Sequence, residues 1–230
     1  MKLLDNESLE QTSIVANSLM NRLRGAVGVN SYERELRLNP LEFLAQSLAT
    51  TGSARWLDIC CGSGQALIDA SRYFQSRGGN IGLLLQGVDL VDQFAEIPPG
   101  QNFLRLERAS VHDWQTSHKY DLITCVHGLH YLGDKLGILE KSAPWLAPAG
   151  LFLASLDLGN LRHADGKPLG RSILKRFRQV GLQFDSRKHL LSCAGAKSFR
   201  LGYRYLGADS TAGPNYSRQD AVDSYYEPMG

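Results

Sequence analysis

What constrains the fold most is an alternation, between residues 55 and 156, of short apolar runs with helical periods. The runs are 56–60, 83–88, 103–106, 122–126 and 151–156, and segments 65–74, 91–96 and 135–146 read as the helices or connections between them. Strands this short and apolar throughout, separated by helices, build βαβ units whose parallel sheet is covered on both faces. Two more strand candidates, 184–193 and 199–206, are joined by Ala194-Gly195-Ala196-Lys197, a connection short enough for an antiparallel hairpin. The expected architecture is α/β: a doubly wound, mostly parallel seven-stranded sheet with an antiparallel last strand and helices on both faces.

Helical signals flank this core. Ile14, Leu19, Met20 and Leu23 recur at helical spacing over 10–23, with Gly25 as a stop, and Asn39-Pro40 caps a second helix whose Leu41, Leu44, Ala45 and Leu48 share one face. A basic helix is expected over 171–180, ended by Gly181. The chain divides into an N-terminal helical lid (1–50), a core (51–206) and a C-terminal tail (207–230). Tyr216, Tyr225 and Tyr226 in that tail point to docking on the body or on a second copy, so a homodimer stays open.

With 43% hydrophobic and 21% charged residues, 230 residues bury a sizeable core, which excludes a disordered chain, a collagen or a disulfide miniprotein. The four cysteines have neither metal-knuckle nor disulfide-ladder spacing, as suits a reducing compartment. No run reaches the ~18–20 apolar residues of a membrane span, so the expectation is a cytoplasmic protein without a membrane partner. Net charge is −4 over 1–161, +9 over 162–204 and −3 over 205–230. The basic segment reads as a surface for an anionic partner or as a solvated helix face.

The most informative segment is Leu57-Asp58-Ile59-Cys60-Cys61-Gly62-Ser63-Gly64-Gln65. It leaves a buried strand, turns through small residues and opens a helix, so its backbone can approach a ligand and present amides at the positive helix end. A second acid, Asp89, ends the next strand, where a carboxylate can accept both hydroxyls of a ribose. A dinucleotide fingerprint needs a small residue at the sixth position from Gly62, and Leu67 stands there, which weakens a nicotinamide-cofactor reading.

The stretch from Asp58 to Gly64 resembles the first motif of the class I S-adenosylmethionine-dependent methyltransferases, Asp-x-Gly-x-Gly-x-Gly, with Cys60 in place of the first glycine. The run from Tyr120 to Leu132 is similar to that family's fourth-strand segment, and Leu146-Ala147-Pro148-Ala149-Gly150-Leu151-Phe152 to its turn before strand five. The resemblance implies S-adenosylmethionine as cofactor. Asp58, Cys60, Cys61 and Gly62 would border its methionine portion, Asp89 would hold the ribose, and Leu90 would pack beside adenine. Ser110, Val111, His112 and Asp113 fall where the adenine is read, and Val126 completes the cofactor set. Arg34 is expected to meet the cofactor carboxylate, with Tyr32, Tyr131 and Arg162 on the substrate side.

An electrophilic methyl group needs chiefly an aligned nucleophile and exclusion of water. His127 and His130, just past strand four, are candidates for taking the acceptor's proton. The Asn/Asp-Pro-Pro-Tyr/Phe run of nucleic-acid amino-methylation is missing, no acid after strand four completes a magnesium site, and no histidines have zinc spacing, so no metal is expected. The reading is methyl transfer to an O, N or S acceptor on a small molecule, anionic if the basic segment faces it. An RNA or protein methyltransferase, or a non-catalytic cofactor-binding or scaffolding protein, is the alternative.

Overall fold

The computed structural model describes residues 3–16, 23–78 and 81–229. Seven strands form the main sheet: β1 (Ala54–Ile59), β2 (Leu83–Asp89), β3 (Leu104–Arg108), β4 (Tyr120–Cys125), β5 (Leu146–Ser155), β7 (Leu182–Asp185) and β8 (Leu190–Ala194). Their order is β3-β2-β1-β4-β5-β8-β7. The β1–β2, β1–β4, β2–β3 and β4–β5 pairs are parallel, whereas β8 runs antiparallel to both β5 and β7. The expected doubly wound sheet with its antiparallel last strand is therefore present.

Period-two alternation explains why the central strands read as unbroken apolar runs. From β1, Ala54 and Trp56 pack in the layer that holds Leu41 and Leu44 of α4 (Pro40–Thr51) and Leu67, Ile68 and Phe74 of α5 (Gln65–Gln75). Leu57 and Ile59 point the other way, into the layer of Leu136 and Leu139 from α6 (Lys135–Ser142) and Ile173 and Phe177 from α7 (Gly170–Gln179). At the start of α4, Asn39 Oδ1 accepts from the amides of Leu41 and Glu42, with Pro40 in the first turn, as its sequence predicts.

The expected hairpin is displaced. Its turn lies at Ser186-Arg187-Lys188-His189, inside the first strand candidate, because Asp185 Oδ1 accepts from the amides of Arg187 and Lys188 and reverses the chain there. Ala194–Lys197 is not a hairpin turn, and the second candidate becomes β9 (Tyr203–Asp209) of a separate sheet. That sheet runs β6 (Leu161–His163), β10 (Asp223–Pro228), β9, with β10 parallel to β6 and antiparallel to β9. Tyr226 is buried in the α6-side layer, and its hydroxyl accepts from Leu136 N at 3.1 Å. Lys135, wholly buried, donates to Leu132 O, Val222 O and Ser224 Oγ, locking α6 to the second sheet; burial lowers its pKa to about 7.

At the N-terminus, α1 (Asn6–Glu10) and α2 (Ser13–Ala16) are separate short helices rather than one over 10–23, and Leu19 and Met20 of that expectation lie outside the described residues. A third short helix, α3 (Tyr32–Leu36), precedes α4. Segment 91–96 is not helical. Ala95 N donates to Ser63 O and Gln93 N to Val91 O, so this connection folds over the glycine loop instead. Among the described residues no helix is long and apolar enough to cross a membrane.

Candidate functional site

The order of the sheet reverses direction at β1, whose neighbours are β2 and β4, and such a switch point opens a crevice at the carboxyl ends of the strands. There a cleft with about 700 Å³ of empty space, part of it open to solvent, is lined by Cys60 and Gly62, by Asp89 and Leu90, and by Val111, His112, Val126 and His127. Leu9 and Glu10 of α1 and Tyr131 also line it.

The glycine loop is built on left-handed backbone at Cys60 (φ 58°), Gly62 (φ 62°) and Gly64 (φ 75°). Cys60 thus holds, with a side chain, a conformation that glycine adopts freely. Gly62 N donates to Asp89 Oδ2 at 2.9 Å, and Val91 N donates to Asp89 Oδ1 at 3.0 Å. Two amides therefore fix the plane of a carboxylate that borders the cleft.

Asp58 does not line the cleft. It is wholly buried beneath the loop, where Oδ2 accepts from the Tyr32 hydroxyl at 2.8 Å and Oδ1 from Thr124 Oγ1 at 2.6 Å. Trp56 Nε1 in turn donates to Thr124 Oγ1. Burial raises the Asp58 pKa to about 7, against the opposing pull of the two hydroxyls. Asp58 and Tyr32 join α3 to β1 rather than facing a ligand. Cys61 is likewise buried, with Cys61 N on Val88 O.

The segment after β3 is brought to the cleft in part. Val111 and His112 line it, and Lys141 Nζ donates to both of their carbonyls. Burial, followed by the Lys141 charge, lowers the His112 pKa to about 4, so the ring is neutral near neutral pH. Ser110 donates to Glu10 Oε1 at 2.6 Å, a contact between residues a hundred apart in sequence, and desolvation raises the pKa of Glu10. Asp113 is exposed and does not line the cleft.

Beyond β4, His127 adopts a left-handed backbone (φ 58°) and is followed by Gly128, where a Cβ would stand 2.4 Å from Cys60 Cβ. His127 Nε2 lies 3.1 Å from Glu35 Oε2 of α3, and Arg24 Nη1 holds the other Glu35 oxygen at 2.5 Å. That imidazole holds the Glu35 pKa below the usual carboxylate value, with Arg24 contributing less. His130 is fully buried behind His127, their ring centroids 5.5 Å apart. Burial drives its pKa well below the usual histidine value. Tyr216 packs edge-on to His130 at 5.4 Å and stacks on His189 at 3.7 Å.

Two further candidates, Arg34 and Arg162, do not line the cleft. Ser31 caps α3 and sends Tyr32 and Glu35 inward, leaving Arg34 exposed with its guanidinium on Val29 O. Arg162 sits on β6 and binds Asp223 Oδ2 at 2.8 Å, while Lys167 pairs with Asp165. Leu9, Glu10 and Glu35 were not identified from sequence, and Tyr216, expected to dock on the body or on a second copy, packs on His130 and His189. Each arrives from a distant segment, and only the acidic side chain of Glu35, three residues past Tyr32, offered a local hint.

A sequence profile described as a methyltransferase domain matches residues 30–200. Similar solved structures include the S-adenosylmethionine-bound amino pentose methyltransferase CalS10 from Micromonospora echinaspora (20% identity over 50% of this chain and 48% of that one, TM-score 0.38). They include the plantazolicin methyltransferase BpumL with a monoazolic desmethylPZN analogue and SAH (18%, 65% and 51%, TM-score 0.40). The [4+2]-cyclase SpnF is a third (13%, 95% and 78%, TM-score 0.48). The chain spans about half the length of the first two. No curated protein matches. By the profile match over most of its length, the chain belongs to the methyltransferase-domain family, the class I S-adenosylmethionine-dependent methyltransferases that its glycine loop resembles.

Proposed function

We propose that this chain binds S-adenosylmethionine in the cleft and transfers its methyl group to an oxygen, nitrogen or sulfur acceptor on a small molecule. The observation that carries the reading is the Asp89 carboxylate, fixed by the amides of Gly62 and Val91 at the edge of the cleft. A carboxylate whose plane is fixed by backbone amides at the edge of a cleft is placed to accept ribose hydroxyls. Leu90, Ala109 and Val111 supply apolar surface beside it for a flat base. The residues present thus fit the nucleoside half of the cofactor.

When bound, the cofactor supplies an electrophilic methyl group. The chain's part is to orient and to exclude water: α1 covers the cleft with Leu9 and Glu10, and His127 borders the space where an acceptor would stand. Arg162 and Lys167 are already paired within the chain, so the proposal rests on the cleft and not on the basic segment.

Titration calorimetry with S-adenosylmethionine, SAH and NAD tests it. The first two should bind and NAD should not. Asp89→Ala should weaken binding by about 1.5–3 kcal/mol, the range for hydrogen bonds to a charged acceptor. NAD binding, or an Asp89→Ala affinity equal to wild type, overturns the assignment.

A further inference from the structure

We propose that Glu35 is a positioning residue that fixes the tautomer and orientation of His127, so that α3 completes a Glu–His pair at the cleft. The inference rests on the methyl-transfer reading above for its chemistry, but on the geometry for its existence. Glu35 Oε2 stands 3.1 Å from His127 Nε2, and the pair is drawn from segments 92 residues apart in sequence. His127 is 4% exposed and Glu35 is half-buried, so solvent screens the contact only in part. The same helix turn carries Tyr32, whose hydroxyl binds Asp58 at the end of β1. One short helix therefore reaches both strand ends that bracket the cleft, β1 through Tyr32 and the exit of β4 through Glu35.

A carboxylate beside one ring nitrogen draws the proton to that nitrogen. Nε2, 3.1 Å from the carboxylate, then carries the hydrogen and Nδ1 keeps its lone pair; both nitrogens are buried, and neither completes a hydrogen bond among the described residues in the present orientation of the ring. In the transfer step, the acceptor's proton passes to Nδ1 as the acceptor–methyl bond forms. The methyl–sulfur bond breaks at the same time, and its electron pair stays on sulfur, leaving a neutral thioether. Glu35 stabilises the imidazolium that results. Its other oxygen is held by Arg24, which with the imidazole helps keep it ionised.

Several further groups face His127 or the same cleft. His130 lies at 5.5 Å and Tyr216 at 6.4 Å, ring to ring, while Cys60, Asp89, Glu10, His112 and Tyr131 line the cleft with it. Among the carboxylates, Glu35 alone is within contact distance of the ring among the described residues. The tautomer of His127 should therefore follow Glu35 more than any other acid.

Nitrogen-15 imidazole NMR of the free, full-length protein tests this without any acceptor. Signals are assigned by their loss in His127→Gln. The wild type should show His127 as the Nε2–H tautomer. Glu35→Gln should lower the population of the Nε2–H tautomer, read from the nitrogen-15 shifts at one fixed pH where the ring is neutral. Glu35→Asp should restore part of that population, which a merely structural role for the side chain would not produce. A His127 tautomer unchanged in Glu35→Gln, with S-adenosylmethionine still bound, overturns the pair and leaves methyl transfer standing. Failure of the wild type to bind S-adenosylmethionine overturns the reading beneath it instead.

Discussion

The Tyr32 hydroxyl donates to Asp58 Oδ2 across 2.8 Å, joining α3 to the end of β1 directly beneath the glycine loop, and both residues are buried. Tyr32 also meets Trp56 edge-on at 6.0 Å, so the hydroxyl is held by packing as well as by its acceptor. Tyr32→Phe keeps the ring and removes only the donor. It should cost about 1–3 kcal/mol of stability, the penalty for leaving a buried polar partner short of a hydrogen bond. Urea unfolding curves check this, and a variant as stable as wild type would mean that the Thr124 hydroxyl suffices alone.

The same carboxyl gives a pH prediction. The Asp58 pKa is about 7 in the folded chain and near 3.8 when exposed, so the folded state binds the proton more tightly. Its favourable contribution is full below about pH 4, is lost as pH rises through 7, and stays lost above that. Asp58→Asn mimics the protonated form at every pH. Wild type should therefore lose stability relative to Asp58→Asn between pH 4 and 7, by up to roughly 4 kcal/mol, with a constant difference above. Parallel melting series across that range decide it, and a difference that is flat throughout would mean that Asp58 titrates normally.

Gly128 supports the loop from the opposite side. A Cβ added there would lie 2.4 Å from Cys60 Cβ and 2.8 Å from Cys125 Sγ, and the first of these atoms is tied to backbone that cannot swing aside. Gly128→Ala should destabilise the fold by about 1–3 kcal/mol, as overpacking does. Because Cys60 carries the left-handed turn into Gly62, it should also weaken S-adenosylmethionine binding. Thermal melting and calorimetry on one preparation separate the two effects.

How far the sequence reaches can be judged from these residues. Local rules found the strands of the main sheet up to β5, because apolar runs buried on both faces need no distant partner to be recognised. They also found Asp89, whose position at a strand end is a local fact. They misplaced the hairpin because two amides on Asp185 decide the turn, and a strong apolar run on either side conceals it. They sent Arg34 to the cleft because residue type suggested a carboxylate partner, whereas the phase of α3, set by the Ser31 cap, turns Arg34 outward and Glu35 inward. Glu10 reaches the site through tertiary packing alone, and no spacing rule reports a contact across a hundred residues.

His127 and His130 are both candidates by sequence, and the structure separates them. His127 lines the cleft beside Glu35, while His130 lies behind it, fully buried, with its pKa driven down by burial. A neutral ring that touches no cleft cannot accept a proton from a bound ligand, so the two should part company in kinetics. With an acceptor found by screening hydroxyl, amine and thiol compounds, single-turnover transfer should rise with pH through one ionisation and then level in wild type. His127→Gln, which cannot act as a base near neutral pH, should lower the plateau on the order of 10²-fold and abolish the ionisation. His130→Gln should keep the ionisation and show its effect in melting temperature, because a flexible amide replaces a packed ring. If His127→Gln retains the wild-type rate at every pH, alignment and water exclusion alone account for the reaction; if His130→Gln loses the ionisation, the base belongs to the buried ring and the cleft must open further than its present walls allow.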